Sequence, residues 1–461
     1  MNVILLDPSK RNNIQEPYEN IGLGYLAAVL RSKNHSVRII NCAIEKLSFR
    51  EVISCILKFK PDVLGITVKS VNIRRAIDVV THLRNCDFRG HVTLGGHYAT
   101  VHHSELLRDF PAISSVVRGE GELALLDLVE NVKTGNFTHI KNLSYRKSNS
   151  VIINDMAETL TPLDELPFPA RDDTARVIQK DGSISISASR GCYASCSFCS
   201  IAHFYNISNG PRWRRRSPQN IAAEIEYLSR TFHTSKFKFI DDQLFLSNRS
   251  ALKFVRELQA ELQKRHLTIQ FSMNCRANHI THELFALLKS IGLKKVFIGI
   301  ESAHQRGLDT FNKGTSVQIN NDALTVLDEL NIDYDIGFIL IDPYTTFDEL
   351  TENLNYLSTI KKRIEGRHCY LSVTTSLEVF GGTPVCIKLQ NEGRLTGDYF
   401  NGYHYMVEDA NVKRYQFIME HIIEQKLVAF YHRLLYLKRS FINRERNKIT
   451  NLRRFHYAQK L

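Results

Sequence analysis

Three cysteines within eight residues are the most constraining feature of this sequence. Cys192, Cys196 and Cys199 have the spacing C-x3-C-x2-C and follow Ser183–Ser189, whose alternation is typical of a β-strand. Three thiolates in one loop after a strand suit three corners of a [4Fe–4S] cube and leave the fourth iron free for another ligand. Two other interpretations stay open. One is a zinc site with His203 as a fourth ligand, and the other is a group of ordinary buried cysteines.

Strand-like and helical segments alternate after the cysteine loop. Five further strands are predicted, each followed by a helix or a turn: Phe237–Ile240, Ile269–Met273, Lys295–Ile300, Asp333–Leu340 and Leu371–Leu377. With the strand before the cysteines they make six units, which is too few for a closed eight-fold barrel. We therefore predict a partial (βα)6 barrel of the TIM type over residues 183–385, with its chemistry at the carboxyl ends of the strands.

The first 135 residues have the same alternation in a different arrangement. The predicted strands are Val3–Leu6, Ser36–Ile40, Asp62–Val68, His91–Leu94 and Ser114–Val117. Helices between them indicate an α/β domain with a doubly wound parallel sheet over residues 1–135. Such sheets bind ligands beyond the carboxyl ends of their strands, and glycines there allow the backbone to approach a flat ligand.

The remaining segments are a connector and a basic tail. Residues 136–182 contain a predicted hairpin and the proline-containing stretch Leu163–Arg171, whose prolines favour extended backbone between domains. Residues 386–461 form a helical basic C-terminal region, with a long helix predicted over 416–436. This region either caps the barrel or binds an acidic partner or membrane surface.

The cysteine spacing, with Phe198 before the third cysteine, resembles the radical S-adenosylmethionine (SAM) superfamily. Residues 1–135 resemble the cobalamin-binding domain, Rossmann- or flavodoxin-like, that precedes the radical core in one large subfamily. The matching segments are Gly22–Ala28, Pro61–Ile66, Gly95–Thr100 and Arg118–Glu122. The resemblance implies three cofactors, namely a [4Fe–4S] cluster, SAM and cobalamin.

One signature of cobalamin proteins, the Asp-x-His-x-x-Gly motif that supplies a cobalt ligand, does not occur in the sequence. Cobalamin would therefore bind without that histidine, or the domain keeps the fold without the cofactor. His97, His102 and His103 are candidate cobalt ligands by clustering alone, although such histidines are usually solvated or hydrogen-bonded.

The resemblance also implies which residues contact each group. The expected cluster ligands are Cys192, Cys196 and Cys199, and the expected SAM contacts are Phe198, Asp241, Asp242, Arg276 and Glu301. The expected cobalamin region comprises Gly95, Gly96, His97, Gly119 and Glu120. The basic run Trp213–Arg216 is predicted either to bind a phosphate or the SAM carboxylate, or to be a solvated loop.

Several functions are compatible with this resemblance. The main expectation is a cobalamin-dependent enzyme in which a 5′-deoxyadenosyl radical takes hydrogen from an unactivated carbon that is then methylated. The alternative is a radical SAM dehydratase, cyclase or rearrangement enzyme of specialised metabolism without methyl transfer. A tRNA methylthiotransferase-like enzyme is a minor alternative, because neither its second three-cysteine domain nor its C-terminal β-barrel is present. An iron–sulfur redox or sensor protein is disfavoured by the acidic strand ends and Arg276.

Bulk composition restricts the partners. The nine cysteines are an odd number, and the six outside the motif have no disulfide-framework spacing, so we expect a reducing cytoplasm. We expect no transmembrane segment and no signal peptide. The net charge of +12 favours an anionic partner such as a phosphorylated substrate. We expect a small-molecule or peptide substrate and an electron donor such as flavodoxin or ferredoxin, whereas nucleic acid is not favoured.

Overall fold

The first sheet of the protein has seven strands. The computed structural model describes residues 1–10 and 17–419. In chain order the strands are β1 Asn2–Asp7, β2 Ser36–Asn41, β3 Val63–Thr67, β4 His91–Gly95, β5 Ser115–Val117, β6 Leu143–Lys147 and β7 Ser150–Ile153. Their spatial order is β2-β1-β3-β4-β5-β6-β7, with β1 to β5 parallel. The hairpin β6–β7, predicted within the connector, adds two antiparallel strands to this sheet.

Helices cover both faces of this sheet, as the sequence predicted. They are α1 Ile21–Ser32, α2 Cys42–Glu45, α3 Phe49–Phe59, α4 Ile73–Asn85, α5 His97–Val101, α6 His103–Asp109 and α7 Glu122–Asn131. Ile4 and Leu6 of β1 pack on the face that carries α3 and α4, whereas Val3 and Leu5 pack on the face that carries α1 and α7. The sequence did not predict α2, α5 and α6, because such short helices show no clear periodicity.

The second sheet has six strands, all parallel. The strands after the first sheet are β8 Ile184–Ile186, β9 Ser189–Gly191, β10 Trp213–Arg215, β11 Lys236–Phe239, β12 Gln270–Arg276, β13 Leu293–Glu301, β14 Asp333–Ile341, β15 Tyr370–Ser376, β16 Leu395–Asp398 and β17 Gly402–Tyr405. The sheet order β15-β14-β13-β12-β11-β8 confirms the partial barrel. Two short antiparallel pairs, β9–β10 and β16–β17, lie outside it.

Helices pack on the outer face of this barrel. After the first domain they are α8 Thr174–Ile178, α9 Ser200–Asn206, α10 Pro218–Phe232, α11 Asn248–Lys264, α12 His282–Ser290, α13 Gln305–Thr310, α14 Val317–Glu329, α15 Phe347–Arg363, α16 Pro384–Asn391 and α17 Ala410–Ile418. Ser217 caps α10 by accepting a hydrogen bond from the Asn220 backbone N–H, and Pro218 occupies its first turn. Apolar residues of the barrel strands form one core with α10, α11, α12, α14, α15 and α17, whereas α16 belongs to a smaller apolar cluster with Phe311 and Leu377.

The hairpin β16–β17 bridges the two domains. Its tip contacts the first domain, where the Tyr399 hydroxyl donates to Asp109 at 2.7 Å and the ring of Phe400 packs on Phe110. At the other end the Tyr405 hydroxyl donates to the Ile341 carbonyl at 3.0 Å. The helix predicted over 416–436 and the basic end lie almost wholly outside the described residues, although α17 extends into the start of that range. Over residues 1–10 and 17–419, no helix has the length and apolar character needed to cross a membrane.

Candidate functional site

A cavity of about 320 Å³ lies between the two domains. It opens at the carboxyl ends of β4 and β5 in the first sheet and of β11 in the second. All the residues predicted for cobalamin line it, together with two of those predicted for SAM: Gly95, Gly96, His97, Gly119, Glu120, Asp241 and Asp242. The fold thus brings the two predicted cofactor regions onto one space.

The part of the cavity nearest the first sheet is an apolar slot. It is lined by Leu5 and Gly65 from the sheet, Leu23 and Leu26 from α1, and Leu125 from α7. A Cβ atom on Gly65 would lie 3.1 Å from Leu5 Cδ2, so a side chain there would occupy the slot. A narrow slot between aliphatic side chains suits a flat apolar ring, which is the shape of the benzimidazole tail of cobalamin.

The rim of the cavity requires glycine for conformational reasons. Gly96 has a φ of +94°, which L side chains rarely adopt. A Cβ there would also lie 3.3 Å from the Val68 carbonyl oxygen. The backbone therefore forms an open, side-chain-free edge where the sequence predicted the close approach of a flat ligand.

The three clustered histidines have different surroundings. His97 lines the cavity, and its ring packs on Phe204 at 4.0 Å between centroids. Burial lowers the pKa of His97 to about 4, so its imidazole is neutral at pH 7. His102 is buried between Tyr98 and Tyr399, and His103 hydrogen-bonds Ser144 at 3.0 Å. Neither His102 nor His103 lines the cavity, so clustering alone did not identify cobalt ligands.

A buried ion-pair network joins the rim of the cavity to the cysteine loop. Arg190, two residues before Cys192, contacts Glu120 at 3.2 Å and Glu122 at 2.6 Å. Arg214 contacts the same Glu120 at 2.8 Å. Against the opposing effect of burial, Arg214 and Arg190 lower the pKa of Glu120, which is therefore ionised at neutral pH.

The basic run Trp213–Arg216 is not a solvated loop, so that prediction was wrong. Arg214 and Arg216 are buried and paired with Glu120 at 2.8 Å and with Glu224 at 2.5 Å, respectively. The Arg215 guanidinium packs on the Phe254 ring at 3.8 Å, and burial lowers its pKa to about 10. Binding of a phosphate or of the SAM carboxylate by this run stays a prediction.

The cysteine loop follows β9 and is anchored by the turn after α13. The Ser197 N–H donates to the Phe311 carbonyl at 2.8 Å, and Asn312 Nδ2 donates to the Ser195 carbonyl at 2.8 Å. Phe198, predicted to pack its ring inward, contacts the Phe311 ring edge-on at 5.3 Å. These contacts hold the loop against the carboxyl ends of the barrel strands.

Hydrogen-bond donors face each sulfur of the loop. The Ala194 N–H approaches Cys192 Sγ at 3.4 Å, and Arg276 Nη1 donates to Cys196 Sγ at 3.2 Å. Cys199 stands at the N-terminal cap of α9, whose backbone N–H groups stabilise its thiolate, although burial raises its pKa overall. Burial raises the pKa of Cys192 as well as that of Cys199, and the hydrogen-bond donors oppose this rise only in part. Three thiols in one short loop, each with a donor beside its sulfur, fit the ligand set of an iron–sulfur cluster.

The arrangement disfavours a single zinc ion. A tetrahedral zinc with Zn–S bonds of about 2.3 Å would bring its sulfurs within about 3.8 Å of one another. Among the described residues, no group of three or more His, Cys, Asp or Glu side chains is already placed to hold a single metal ion of any kind. His203, the proposed fourth ligand, instead packs against Gly382. Sulfurs that bind different irons of a cube need no such close approach.

The two aspartates after β11 have different roles. Asp241 is buried, and it accepts hydrogen bonds from the Ser189 N–H and, at 2.7 Å, from the Ser189 hydroxyl, so it braces the strand before the cysteines. Burial raises the pKa of Asp241 to about 6. Asp242 faces the cavity, and desolvation together with Asp241 raises its pKa to about 7. Both aspartates line the cavity, but Asp241 is held by Ser189 through Oδ1, whereas no hydrogen bond or ion pair holds the Asp242 carboxylate within the described part of the chain.

Arg276 and Glu301 lie on a second group of contacts beside the cysteine loop. Arg276 donates to both Cys196 Sγ and the Lys313 carbonyl oxygen. Glu301 contacts Lys313 Nζ at 2.5 Å, and Lys313 Nζ also lies 6.0 Å from the centre of the Phe198 ring. Glu301 has a φ of +65°, an unusual backbone conformation for glutamate that is often found at functional sites.

Sequence reasoning did not single out Gly65, Arg190 or Lys313. Gly65 is an isolated glycine inside a strand, a signal of close approach that was available in the sequence. Arg190 and Lys313 acquire their roles only through partners that are far away in the chain, so no local signal identifies them.

Comparisons with known proteins agree with this arrangement. A model of the B12 binding domain matches residues 11–129, and a model of the Radical SAM superfamily matches residues 186–357. An uncharacterized methyltransferase of Pyrococcus horikoshii is 28% identical over 340 residues, which cover 73% of this chain and 72% of that protein. An anaerobic magnesium-protoporphyrin IX monomethyl ester cyclase of Rubrivivax gelatinosus is 27% identical over 332 residues, which cover 69% of this chain and 58% of that protein.

A solved structure shares the fold over most of this chain. The cobalamin-dependent SAM radical enzyme OxsB with aqua-cobalamin bound superposes with a TM-score of 0.78 at 21% identity. The match covers 93% of this chain and 68% of that one. The fold of both domains is therefore shared with that structure.

Proposed function

Because this chain belongs to the radical SAM proteins that carry an N-terminal B12-binding domain, we propose that it is a cobalamin-dependent enzyme that C-methylates an unactivated carbon. The observation that carries this proposal is the single interdomain cavity lined by the cobalamin region and by Asp241–Asp242. Methyl transfer requires a methyl carrier and a radical source to reach the same substrate carbon. A shared cavity provides that proximity without movement of a whole domain.

The proposal assigns three groups of residues to three cofactors. Cys192, Cys196 and Cys199 would hold the [4Fe–4S] cluster. Asp242, Arg276, Glu301 and the backbone at Phe198 would contact SAM, and the rim Gly95–His97 with Gly119 and Glu120 would contact cobalamin. When bound, the cluster and SAM supply a hydrogen-abstracting radical, and cobalamin supplies a methyl group.

The chain's own residues position these groups and exclude water. Arg276 donates to Cys196 Sγ, where a positive charge stabilises the thiolate. Arg190 ties the cobalamin rim to the cluster loop through Glu120 and Glu122. Asp242 presents a carboxylate to the cavity, where it suits the amino group of SAM. Phe204, Tyr205 and the aliphatic slot keep the remaining wall dry.

Cofactor content and products test this function together. Protein purified without oxygen should contain four irons and one corrin per chain. Metal analysis measures the iron, and an absorption spectrum measures the corrin. With SAM and a reductant it should release 5′-deoxyadenosine, and S-adenosylhomocysteine as well when methyl transfer occurs. Iron without corrin, or deoxyadenosine without S-adenosylhomocysteine in the presence of the substrate, would contradict the methyltransferase proposal.

We expect Gly65→Val to remove cobalamin without unfolding the protein. Valine is well tolerated in a strand, but its side chain would enter the apolar slot beside Leu5. Corrin content should fall at least about tenfold, which corresponds to the loss of about 1.4 kcal/mol. Gly65→Ala, which adds one carbon, should have a smaller effect. Iron content and the thermal unfolding midpoint should stay near wild type, and normal corrin content in Gly65→Val would contradict the assignment of the slot.

We expect the affinity for SAM to rise with pH through about 7. The pKa of Asp242 is raised to about 7, so its carboxyl group is mostly neutral at pH 6 and mostly anionic at pH 8. The anion attracts the SAM amino group, whereas the neutral acid does not. Equilibrium dialysis of unreduced protein between pH 5.5 and 7.5 would measure the trend. Asp242→Asn should bind SAM weakly at every pH, and a steep trend in that variant would exclude Asp242 as its source.

A second candidate function is radical ring formation without methyl transfer. The similarity to a magnesium-protoporphyrin IX monomethyl ester cyclase favours it specifically. Both functions require the same cluster and the same cavity, and the products of the reaction distinguish them. Deoxyadenosine and corrin without any S-adenosylhomocysteine in the presence of the true substrate would support the cyclase.

We also propose a cytoplasmic location and an acidic electron donor such as reduced flavodoxin or ferredoxin. All nine cysteines are unpaired, which suits a reducing compartment. The net charge of +12 favours association with an acidic protein. The substrate is expected to be a small molecule or peptide.

A further inference from the structure

The inner face of the partial barrel is unusually polar. In closed barrels of this type, bulky aliphatic side chains fill the interior. Here the aliphatic residues of the strands pack outward against the helices. The inner positions, identified by strand alternation and register, are instead mostly polar or glycine: Ser185, Lys238, Ser272, Asn274, Lys295, Gly299, Asp335, Gly337 and Ser372.

Lys238 lies at one end of this polar face. Its neighbours in the strand, Phe237 and Phe239, are buried in the outer core, so the alternation of the strand directs Lys238 into the barrel. The register pairs Lys238 with Ser185 of β8 on one side and with Ser272 of β12 on the other. Lys238 therefore stands between two serines in a single row of paired positions across three strands.

The other inner cations are already neutralised. Lys295 contacts Asp335 at 2.7 Å, Lys313 contacts Glu301, and Arg276 contacts Cys196. Over residues 1–10 and 17–419, Lys238 has no recorded ion pair. The Ser185 side chain is buried, with 1% of the residue exposed, and its hydroxyl has no hydrogen-bond partner in that part of the chain. A buried hydroxyl without a partner, in register with an unpaired cation, suits an acceptor from outside the chain that Lys238 would attract and that reaches Ser185 when its neighbours shift.

We propose that Ser185, Lys238 and Ser272 form an oxyanion subsite for the substrate, so that the substrate carries a phosphate or a carboxylate at one end. This inference rests on the proposed function, because it assumes that the barrel interior holds the substrate. One ammonium and two hydroxyl donors match the acceptor oxygens of either group.

The distance to the cofactors sets the shape of the substrate. Lys238 precedes Asp242 by four residues, of which only Phe239 belongs to β11, and an extended chain rises by about 3.3 Å per residue, so the subsite lies at most about 13 Å below the level of Asp242. Between these levels the Phe297 ring lies over Gly337 and is 39% exposed inside the barrel. The subsite therefore fits an extended substrate with an anionic end and an apolar or flat middle portion.

Competitive labelling of lysines tests the subsite directly. The full-length protein with its cluster is methylated with formaldehyde and dimethylamine–borane, and peptide mass spectrometry gives the rate for each lysine. Separate arms contain inorganic phosphate, acetate or chloride at equal ionic strength. We expect Lys238 to react in chloride and to be slowed at least about fivefold by phosphate, by acetate or by both. Protection by only one of them identifies the substrate group as a phosphate or a carboxylate.

Lys236 is the matched control, since it lies on the same strand and the same face but is paired with Asp181. Its rate should not depend on the anion. Ser185→Ala should raise the anion concentration needed to protect Lys238 by about tenfold, the expected loss for one hydrogen bond to a charged group. Equal rates for Lys238 in all three arms, no reaction of Lys238 in chloride, or equal slowing of Lys236 would each overturn the subsite. Deoxyadenosine release is measured on the same wild-type preparation, so a failure of the proposed function appears separately from a failure of the subsite.

Discussion

Cys196→Ala will produce a folded protein without its iron–sulfur cluster. Cys196 is the most buried of the three motif cysteines, with 7% exposed. Its Sγ accepts a hydrogen bond from Arg276 Nη1 at 3.2 Å. Without it only two thiolates remain, which cannot hold three corners of a cube. We expect the brown colour to disappear and the iron content to fall to background.

Deoxyadenosine production should fall with the cluster. Loss of residues that merely support a metal ligand already costs about 10- to 100-fold in affinity or activity, so loss of a ligand should cost at least about 100-fold. The measurement is the deoxyadenosine released from SAM and dithionite, determined by chromatography under anaerobic conditions. Residual product should not exceed that of a reaction without protein.

Cys275→Ala is the matched control for this prediction. Cys275 is also buried, lies next to Arg276 in β12, and packs in the outer core rather than in the cysteine loop. It should keep its iron and its deoxyadenosine production. Retained product in Cys196→Ala, or equal loss in both variants, would show that the motif does not hold the cluster.

The sequence predicted the parts of this site that depend on local pattern. The loop after a strand was visible from alternation and from the spacing of Cys192, Cys196 and Cys199. The two sheets followed from the alternation of strands and helices, and both are confirmed by the structure. The glycine-rich strand ends predicted to bind a ligand line one cavity in the structure, because parallel strands bring their carboxyl ends to the same edge of a sheet.

The parts that depend on distant partners were not predictable from sequence. Asp241 and Asp242 are adjacent and chemically identical, yet one is bound by Ser189 and the other faces the cavity. The solvated loop predicted for the arginine run was wrong for the same reason, since Arg214 is paired with Glu120 of the first domain, 94 residues away in the chain. Pairing of charges across a domain interface leaves no periodic signal in either segment.

A second network of buried ion pairs, centred on Glu224, stabilises the arrangement of the two domains. Glu224 is fully buried and contacts Arg171 at 2.6 Å and Arg216 at 2.5 Å. Arg171 also contacts Glu19 of the first domain at 2.8 Å. The four charges balance, so the network is neutral and joins the first domain, the connector and the barrel.

Glu224→Gln should destabilise the protein by about 3–5 kcal/mol, because it leaves one buried arginine charge without compensation. The substitution preserves shape, so the loss is electrostatic rather than a packing defect. Calorimetry should show a fall in the unfolding midpoint of at least about 6 °C, at about 2 °C or more per kcal/mol for domains of this size. Proteolysis within the connector should also become faster, since the network holds Arg171 in place.

Glu283→Gln is the matched control for the buried network, because Glu283 contacts Arg256 at 3.0 Å on the surface, where both side chains are more than half exposed. Exposed pairs add little stability, so this variant should unfold close to the wild-type midpoint. If Glu224→Gln behaved like Glu283→Gln, the buried pairs would contribute nothing to the interface. The cavity would then depend on apolar contacts and the bridging hairpin alone, and corrin content in Glu224→Gln should stay at the wild-type level. If the network does hold the domains, corrin content should fall together with the midpoint, because the cavity wall comes from both domains.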